Sequence, residues 1–429
     1  MERGARGAGR HRSGLVTVRV CLISSVHPWV NPRLVKEADW LAAHGHDVHV
    51  VTKRVDAWSD TRDAALLPTK VWTAERVNLL RDDPDGRRRW LRTAIRASIA
   101  LRAYEWTGAL RLGEEGYYRG FADVLAAATR TRADLYIAHT QGALPIAARA
   151  AAANGARFGF DCEDLLAEEM ADGLQNPALR RAILDIERTY LPRASYVTAT
   201  SHAMADYLVA HYGIAKPYVI RNVFALSELK GVPAPRARPA REAVELVWMS
   251  ATIGSGRGLE DAVRALAMLP DHVRLTLFGR MFPAYEPELT SLLAELGVAS
   301  RVTVRPIPEP AAIMPTMAQF DIGLTLDLND CLNRSLTICN KVFLYLQAGL
   351  VVGATDTPGQ REVVDSVPLA GFLYAPGDVP AFTSALASLV RDRARLLTGM
   401  DAAWCAGQER YNWDRDATVF QSAIEAAMA

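Results

Sequence analysis

The pattern of hydrophobic and polar positions repeats one unit along much of the chain. Residues 18–24 form a near-continuous apolar run, which is typical of a parallel strand covered on both faces. Residues 32–43 follow with apolar positions at helical spacing, Gly45 ends that helix, and residues 47–52 form a second apolar run. A strand, a helix and a strand in so short a stretch predict one βαβ unit.

The same alternation continues along the chain with one break. The break is the stretch 226–243, which contains three prolines and shows no periodicity, so we predict a linker there. We expect two α/β domains over 15–225 and 244–410, each with a doubly wound, Rossmann-like parallel sheet, facing each other across a cleft. The predicted strands are 134–139, 157–161, 196–201, 245–250, 274–278, 301–305, 322–326 and 351–354, and the predicted helices are 143–154, 259–269, 286–296, 341–348, 380–391 and 413–428.

Composition fits a soluble globular protein and argues against several classes. The 429 residues are 50% hydrophobic and 23% charged with a net charge of +1, so no global field favours nucleic acid. Five scattered cysteines lack any CxxC spacing, which argues against a disulfide frame or zinc site and favours a reducing cytoplasm. No apolar stretch reaches the length of a membrane span. The arginine-rich residues 1–14 predict a disordered tail, with a nucleic-acid-binding arm as the alternative.

Residues 87–112 depart from this pattern because they are both basic and aromatic. Trp90, Leu91, Ile95 and Ile99 recur at roughly helical spacing among arginines. Such a helix can make peripheral contact with the inner face of an anionic membrane, or it can hold an anionic acceptor. The other interpretation is a solvated helix packed on the sheet, and the sequence leaves this choice open.

Two turns between a strand and a helix in the second half place polar groups beside a cation. In the first, Gly254, Gly256 and Gly258 surround Arg257, and a helix follows. Glycines let backbone amides approach a phosphate, a helix N-terminus favours an anion, and arginine adds a bidentate donor. Lys341 stands at the start of a second helix of this kind. Two cations near strand ends predict a diphosphate site, whereas the glycines alone also fit a merely flexible turn.

These features, taken in order, resemble the retaining GT-B glycosyltransferases of family 4. The matching segments keep their order and spacing over about 400 residues. They are 18–52, 196–208, 219–223, 253–259, 340–349, 359–362 and 411–413. The resemblance implies two Rossmann-like domains, with a nucleotide-sugar held mainly by the second domain. It also implies that residues 411–429 form a terminal helix that crosses back onto the first domain.

The resemblance implies an enzyme that moves a sugar from a nucleotide diphosphate-sugar to a small-molecule or glycan acceptor, with retention of anomeric configuration. It implies neither a metal nor a cofactor apart from the donor, because cations and helix ends neutralise the departing diphosphate. Arg257, Lys341 and Arg280 would supply that charge, assisted by the amides of Gly256 and Gly258. The usage of arginine and alanine fits a bacterial source.

The resemblance also assigns residues on both sides of the cleft. His139 would contact the donor sugar near the reacting carbon, as a catalytic residue beside Arg257 and Lys341. Asn340 and Glu362 would bind the donor, and the acceptor would meet His27, Asn31, Asp161 and Glu163. The sequence also leaves structural roles open for these residues: the histidine can end a strand, and the carboxylates can cap helices.

Two motifs depart from the family pattern. Ser250 and Ala251 stand where members usually carry a Gly-Arg pair. Leu336 and Leu344 stand at the two glutamates of the Glu-x7-Glu motif, of which the second is the expected ribose contact. Because of these departures, the sequence does not identify the residues that bind the ribose. Two alternatives to a glycosyltransferase also stay open. One is a nucleotide-sugar 2-epimerase with the same fold, and the other is a non-catalytic nucleotide-sugar-binding homologue.

Overall fold

The structure, a computed structural model, describes residues 17–169 and 176–429, so the predicted tail 1–14 lies outside the described residues. The strands of the first half are β1 Arg19–Ser24, β2 Asp47–Arg54, β3 Thr73–Asn78, β4 Leu135–His139, β5 Arg157–Cys162, β6 Tyr196–Ala199 and β7 Tyr218–Val219. The strands of the second half are β8 Val244–Ile253, β9 Val273–Met281, β10 Val302–Arg305, β11 Ile322–Thr325, β12 Val351–Thr355 and β13 Gly371–Tyr374.

Helices follow nearly every strand. In the first half they are α1 Pro32–Ala43, α2 Ala57–Leu66, α3 Pro84–Thr107, α4 Leu110–Tyr117, α5 Phe121–Arg130, α6 Leu144–Asn154, α7 Pro177–Tyr190 and α8 His202–Tyr212. In the second half they are α9 Leu259–Ala267, α10 Glu286–Glu295, α11 Pro310–Met317, α12 Leu332–Leu336, α13 Asn340–Gln347, α14 Pro358–Val364, α15 Val379–Arg391, α16 Arg393–Glu409 and α17 Trp413–Met428.

The strands form two parallel sheets, one in each half of the chain. The first has the order β3-β2-β1-β4-β5-β6-β7 and the second the order β10-β9-β8-β11-β12-β13. In both sheets the strand order reverses direction beside the first strand of that half, so each sheet is doubly wound with its ligand-binding crevice at the strand ends. The predicted fold class, two Rossmann-like α/β domains, is confirmed.

Helix α1 shows why the sequence pattern locates these elements well. The Asn31 side chain caps it by accepting a hydrogen bond from the Leu34 amide at 3.1 Å, and Pro32 occupies the first helical position. Leu34, Ala38 and Leu41 are buried on one face. The predicted and observed bounds of this helix coincide. The edge strands β3, β7 and β13 were not predicted, and each of them buries only one of its residues.

The predicted linker stretch is packed against the second half. It contains two short 3₁₀ turns, Leu226–Leu229 and Pro235–Ala237, and the second of them contacts α16. Leu229 and Val232 are buried. Helix α17 then returns to the first sheet, where it contacts β5, β6 and β7. There the Arg221 amide donates to Oδ2 of Asp416 at 2.6 Å.

Hydrogen bonds join the two halves at several places, and one of them links residues beyond the strand ends of both sheets. Asn333, which follows β11, accepts a hydrogen bond from the Leu165 amide at 2.8 Å and donates to Oδ1 of Asp164 at 2.9 Å, both after β5. Gln347 exchanges two hydrogen bonds with the Phe224 backbone, at 3.0 and 2.9 Å. The crevices of the two sheets therefore face each other.

Candidate active site

The second sheet presents a glycine-rich turn between β8 and α9. Gly256 and Gly258 have φ values of 70° and 68°, a left-handed conformation that glycine adopts without strain. A Cβ atom at Gly258 would lie 2.4 Å from the carbonyl oxygen of Leu326, so only glycine fits this approach to the end of β11. The turn then enters α9 at Leu259, where free amides and the helix dipole favour an anion.

Three of the predicted cations lie at this edge of the second sheet. Arg257 is half-buried in the turn, exposed Arg280 pairs with Thr252 between β9 and β8, and half-buried Lys341 is in the first turn of α13. Arg257 is close enough to Lys341 for its charge to disfavour the ammonium. Among the described residues, no carboxylate oxygen lies within 4.0 Å of any of the three. Unneutralised cations at two helix N-termini form a site suited to a phosphorylated ligand.

The surroundings keep Lys341 charged. Its pKa is raised, because the Cys339 sulfur and the Asp327 carboxylate favour the ammonium more than burial and Arg257 disfavour it. Burial raises the pKa of Cys339 itself to about 12, so this residue is a neutral thiol near pH 7. Asp327 is therefore the group that supports the Lys341 charge at neutral pH. Asn340, the exposed first residue of α13, adds an amide side chain beside it.

A cavity of about 830 Å³ lies between the two halves and reaches Lys341. Trp29 and Lys36 line it from the first half, and Asn340, Lys341 and Leu344 line it from α13. Its volume is in the range of ligand-binding pockets. Leu344 is buried and apolar at the position of the expected ribose-binding glutamate, so this side chain offers no hydrogen bond to a ribose.

The corresponding edge of the first sheet carries a buried ion cluster. His139 ends β4, and its Nε2 lies 3.2 Å from Oε2 of Glu37 while its Nδ1 lies 3.1 Å from Oδ2 of Asp161. A guanidinium nitrogen of Arg33 lies 2.5 Å from the other oxygen of Asp161, and a second lies 3.7 Å from Glu37. All four side chains are buried. The cluster thus pairs two carboxylates with two basic groups away from water.

The charges in this cluster set its protonation. Burial opposes a charged imidazole, but Glu37, Asp161 and Glu163 outweigh burial and raise the pKa of His139 well above its usual value. Burial raises the pKa of Glu37. Burial also opposes ionised Asp161, but Arg33 and His139 outweigh it and lower its pKa to about 2. A protonated His139 therefore acts with Arg33 to balance the two acids.

Two of the predicted site residues belong to this cluster. His139 and Asp161 are expected to contact the donor sugar and the acceptor, and both side chains are buried and engaged with each other. In this arrangement they join the ends of β4 and β5, and their contacts with substrates stay predictions. Glu37, His139 and Asp161 are close enough together to hold a metal ion, but Arg33 already places positive charge against Asp161.

His27 and Asn31, both expected at the acceptor, also have structural roles. His27 is buried, its Nδ1 lies 2.7 Å from Oδ2 of Asp63, and its Nε2 accepts a hydrogen bond from the Val55 amide at 2.9 Å. Both ring nitrogens of His27 are thus engaged within the protein, and its contact with an acceptor stays a prediction. Asn31 is the cap of α1, although its side chain also lines a small cavity.

This small cavity, of about 180 Å³, lies at the loop after β4. Glu163 lines it with a side chain that is 25% exposed, and one carboxylate oxygen lies 3.8 Å from Nδ1 of His139. Thr140 also lines it and has a φ of 75°, which is a strained conformation for a β-branched residue. Its hydroxyl lies 2.5 Å from that of Ser25. Such strain costs about 1–3 kcal/mol and is concentrated at functional sites, so this is the candidate acceptor pocket.

Glu362 joins the two halves rather than lying free at the donor site. Its Oε2 accepts a hydrogen bond from the His202 amide at 2.7 Å, and its Oε1 lies 3.8 Å from the Arg221 guanidinium. This carboxylate thus caps the N-terminus of α8 in the first half. The helix-cap interpretation applies to Glu362, with the cap on a helix of the other half.

Several residues of the site were not predicted. Arg33 and Glu37 lie next to Leu34 and Ala38 on α1, so charges beside the core-facing positions could have revealed a buried ion pair. Thr140 gave no signal, because a positive φ at a β-branched residue is not encoded by residue type. The bridge from Asn333 depends on how the two halves are placed, which periodicity does not report.

Comparisons with known proteins agree with this geometry. Residues 30–222, somewhat under half of the chain, match a family described as a glycosyl transferase 4-like domain. Together with the two doubly wound sheets, this match indicates the GT-B fold. None of the curated proteins matches the sequence.

Three solved structures illustrate the likeness in fold. HepE from Anabaena, in complex with UDP, is 18% identical with a TM-score of 0.68, and the alignment covers 95% of this chain and 98% of HepE. Sucrose-phosphate synthase from Thermosynechococcus elongatus is 14% identical, with a TM-score of 0.66 and the same coverages. A glycosyltransferase from Rickettsia africae is 13% identical, with a TM-score of 0.63 and coverages of 95% and 98%. At these identities the likeness shows the fold.

Proposed function

We propose that this protein transfers a sugar from a nucleotide diphosphate-sugar to an acceptor hydroxyl, with retention of anomeric configuration and without a metal. The observation that carries the proposal is the pair of cations Arg257 and Lys341 at two helix N-termini, with no carboxylate oxygen within 4.0 Å among the described residues, and Lys341 lines the cavity between the halves. HepE has been solved with UDP and with UDP-glucose, which supports a uridine diphosphate-sugar as the first donor to test.

In the proposed reaction the nucleoside diphosphate is the leaving group. The bond between the anomeric carbon and the diphosphate oxygen breaks, and a bond to the acceptor oxygen forms on the same face of the sugar. The acceptor proton passes to the departing diphosphate. Arg257, Lys341 and the N-termini of α9 and α13 would stabilise the charge that grows on the diphosphate. Because no carboxylate oxygen of the described residues lies within 4.0 Å of these cations, no ion pair has to break before they stabilise the diphosphate.

The first half would position the acceptor. Glu163 is a partly exposed carboxylate of the small cavity, beside exposed Asp164, so it can accept a hydrogen bond from an acceptor hydroxyl. The buried cluster around His139 fixes the loop that carries Thr140. The bridge from Asn333 to Asp164 joins this cavity to the second half. Holding both substrates across two joined halves is the positioning that favours transfer.

The test is calorimetric titration with UDP, GDP and ADP, followed by transfer assays with the sugar donor of the nucleotide that binds. Lys341→Ala is expected to weaken binding by about 10–100-fold, because a hydrogen bond to a charged group contributes about 1.5–3 kcal/mol. Lys216→Ala is the matched control, since this exposed lysine pairs with Asp206 on the surface of the first half. Unchanged affinity and transfer in Lys341→Ala would refute the proposal.

Product analysis separates the other functions with this fold. Conversion of the donor sugar without any acceptor would identify an epimerase. Nucleotide binding without either reaction would identify a binding homologue. Retention is tested by the anomeric coupling constant of the product compared with that of the donor, and inversion would contradict that part of the proposal.

A further inference from the structure

Helix α3 exposes its large apolar residues and buries its small ones. Leu91, Ile95 and Ile99 are 51%, 61% and 63% exposed, and Trp106 is 90% exposed. The face that packs on the protein consists mainly of Gly86, Thr93, Ala97, Ala100 and Tyr104. This is the reverse of the usual arrangement, in which the larger apolar side chains cover the core. A solvated helix packed on the protein therefore explains the buried face of α3, but it does not explain why large apolar side chains are exposed on the outer face.

The four exposed side chains form a stripe on one face of α3, and exposed Arg102 lies on the same face between Ile99 and Trp106. Positions 91, 95, 99 and 106 follow helical spacing, so they lie on one face of α3. The stripe is about 22 Å long at 1.5 Å per residue. Among residues 17–169 and 176–429, no helix combines the length and the apolar character that crossing a bilayer requires. A stripe of this kind on a charged helix suits a helix that lies in an interface.

Arginines lie within the stripe, at its N-terminal end and beside it. Helix α3 carries six arginines and two acidic residues, and the acids, Asp85 and Glu105, stand near its two ends. Arg88, Arg92 and Arg102 lie three or four positions from stripe residues, and all three are exposed. Such a face is complementary to a surface that is apolar inside and negatively charged outside.

A groove beside the stripe is also lined by arginine and apolar side chains. This cavity of about 620 Å³ lies among α3, α4 and α5 and shares Ile95 and Ile99 with the stripe. Its polar lining includes Arg96 and Arg111. Arg96 pairs with Glu115 at 2.9 Å, whereas no carboxylate of the described residues lies within 4.0 Å of Arg111. A free guanidinium beside apolar side chains suits a lipid phosphate with its acyl chains.

We infer that α3 and this groove dock the protein on the surface of an anionic lipid bilayer. The stripe residues enter the boundary between headgroups and acyl chains, and the arginines within and beside the stripe bind lipid phosphates. Helices α3 and α4 pack against each other as a hairpin. Tyr118, which follows α4, donates a hydrogen bond to the Ser24 carbonyl at 3.3 Å and so ties this hairpin to the end of β1. The docking surface therefore belongs to the half that carries the candidate acceptor pocket.

The test is co-sedimentation with vesicles of phosphatidylcholine alone and of equal parts phosphatidylcholine and phosphatidylglycerol. The protein is expected to bind the anionic vesicles and to be released by high salt. Ile95→Gln/Ile99→Gln is expected to weaken this binding about tenfold or more, because two exposed apolar anchors are lost. Arg88→Gln/Arg102→Gln should weaken it by a similar factor, because each basic residue near the surface contributes about 1 kcal/mol.

Two matched controls come from other surfaces. Val71→Gln removes an apolar residue that is 83% exposed, and Arg391→Gln removes an exposed arginine at the end of α15. Both should bind anionic vesicles as the wild type does. Absence of wild-type binding, equal binding to both kinds of vesicle, or an equal loss in the controls would overturn the inference. It would also be overturned if the wild type self-associates in solution and the double isoleucine variant does not, because the stripe would then cover a second copy.

Discussion

The strand ends of the two sheets carry similar numbers of charged side chains but use them differently. At the second sheet, Arg257 and Lys341 have no carboxylate within ion-pair distance among the described residues, and one of them lines a large cavity. At the first sheet, Arg33 and His139 are buried against Asp161 and Glu37. One edge keeps its charges available for a ligand, and the other uses them to fix its own backbone.

Because of this difference, a mutation at the strand ends of one sheet should affect a different property from a mutation at the strand ends of the other. An unpaired cation at a partly exposed edge contributes little to stability, and its energy is realised when an anion binds. A buried cation within an ion cluster has the opposite character, because removing it leaves carboxylates unpaired away from water. Substitutions at the strand ends of the second sheet, which we call the donor edge, should therefore change ligand affinity. Substitutions in the ion cluster at the strand ends of the first sheet should change the free energy of unfolding.

The largest expected effect is on stability, from Arg33→Met. The guanidinium donates to the Ile220 carbonyl at 2.6 Å and pairs with Asp161, so its loss leaves two buried carboxylates, Asp161 and Glu37, with His139 as the one cation remaining in the cluster. We expect the free energy of unfolding to fall by about 3–5 kcal/mol, measured by urea denaturation. Arg257→Met is the matched control and should change it by less than about 0.5 kcal/mol.

Neutralising the acid should recover part of that loss. In Arg33→Met/Asp161→Asn the buried carboxylate no longer needs a partner, so the double variant is expected to be more stable than Arg33→Met alone. If both arginine variants lose the same stability, the contrast between the two edges is not one of pairing.

A pair of glycines sharpens the comparison within the donor edge. Gly256 and Gly258 both have positive φ, but a Cβ at Gly256 meets open space whereas one at Gly258 meets the Leu326 carbonyl. Gly256→Ala should cost about 1–2 kcal/mol in stability from backbone strain alone. Gly258→Ala should cost more, because the turn must also move. Denaturation of both variants beside the wild type measures the difference, and equal losses would show that the turn is free to shift.

The sequence predicted the second sheet's edge better than the first's, for a physical reason. Arg257, Lys341 and the glycines act through residue type and position at a helix start, which periodicity locates. His139, Asp161 and His27 were placed correctly at strand ends, but whether such side chains face a ligand or each other depends on packing. Arg33 and Glu37 determine that packing from α1, and no local pattern links them to β4 and β5.

The third effect is on affinity at the donor edge. Arg257→Ala is expected to weaken binding of the preferred nucleoside diphosphate by about 10–100-fold, since a charge-assisted hydrogen bond contributes about 1.5–3 kcal/mol. Calorimetric titration measures it. The affinity for the nucleoside without phosphates should stay the same in wild type and variant, because the arginine is proposed to contact only the diphosphate. An equal loss for the nucleoside would place Arg257 at the wrong part of the ligand.

The smallest effect is the pH dependence that the cluster imposes on stability. Burial opposes a charged His139, but Glu37, Asp161 and Glu163 outweigh it and raise the pKa of His139 above its unfolded value. Below the unfolded pKa of about 6.5 both states hold the proton and the stabilisation is fully present. As the pH rises above that value the unfolded state releases the proton first, so the stabilisation falls, by at most about 1.4 kcal/mol per pH unit.

This dependence can be isolated by difference. Urea denaturation of the wild type and of His139→Gln from pH 6 to pH 8.5 should show the wild type's advantage shrinking as the pH rises. The imidazole carbon resonances provide an independent check, because one of the nine histidines should keep the shift of a protonated ring at pH 8 and be absent from the variant. If that resonance titrates near pH 6.5, His139 is neutral at physiological pH and Glu37 must then hold the proton that balances the cluster.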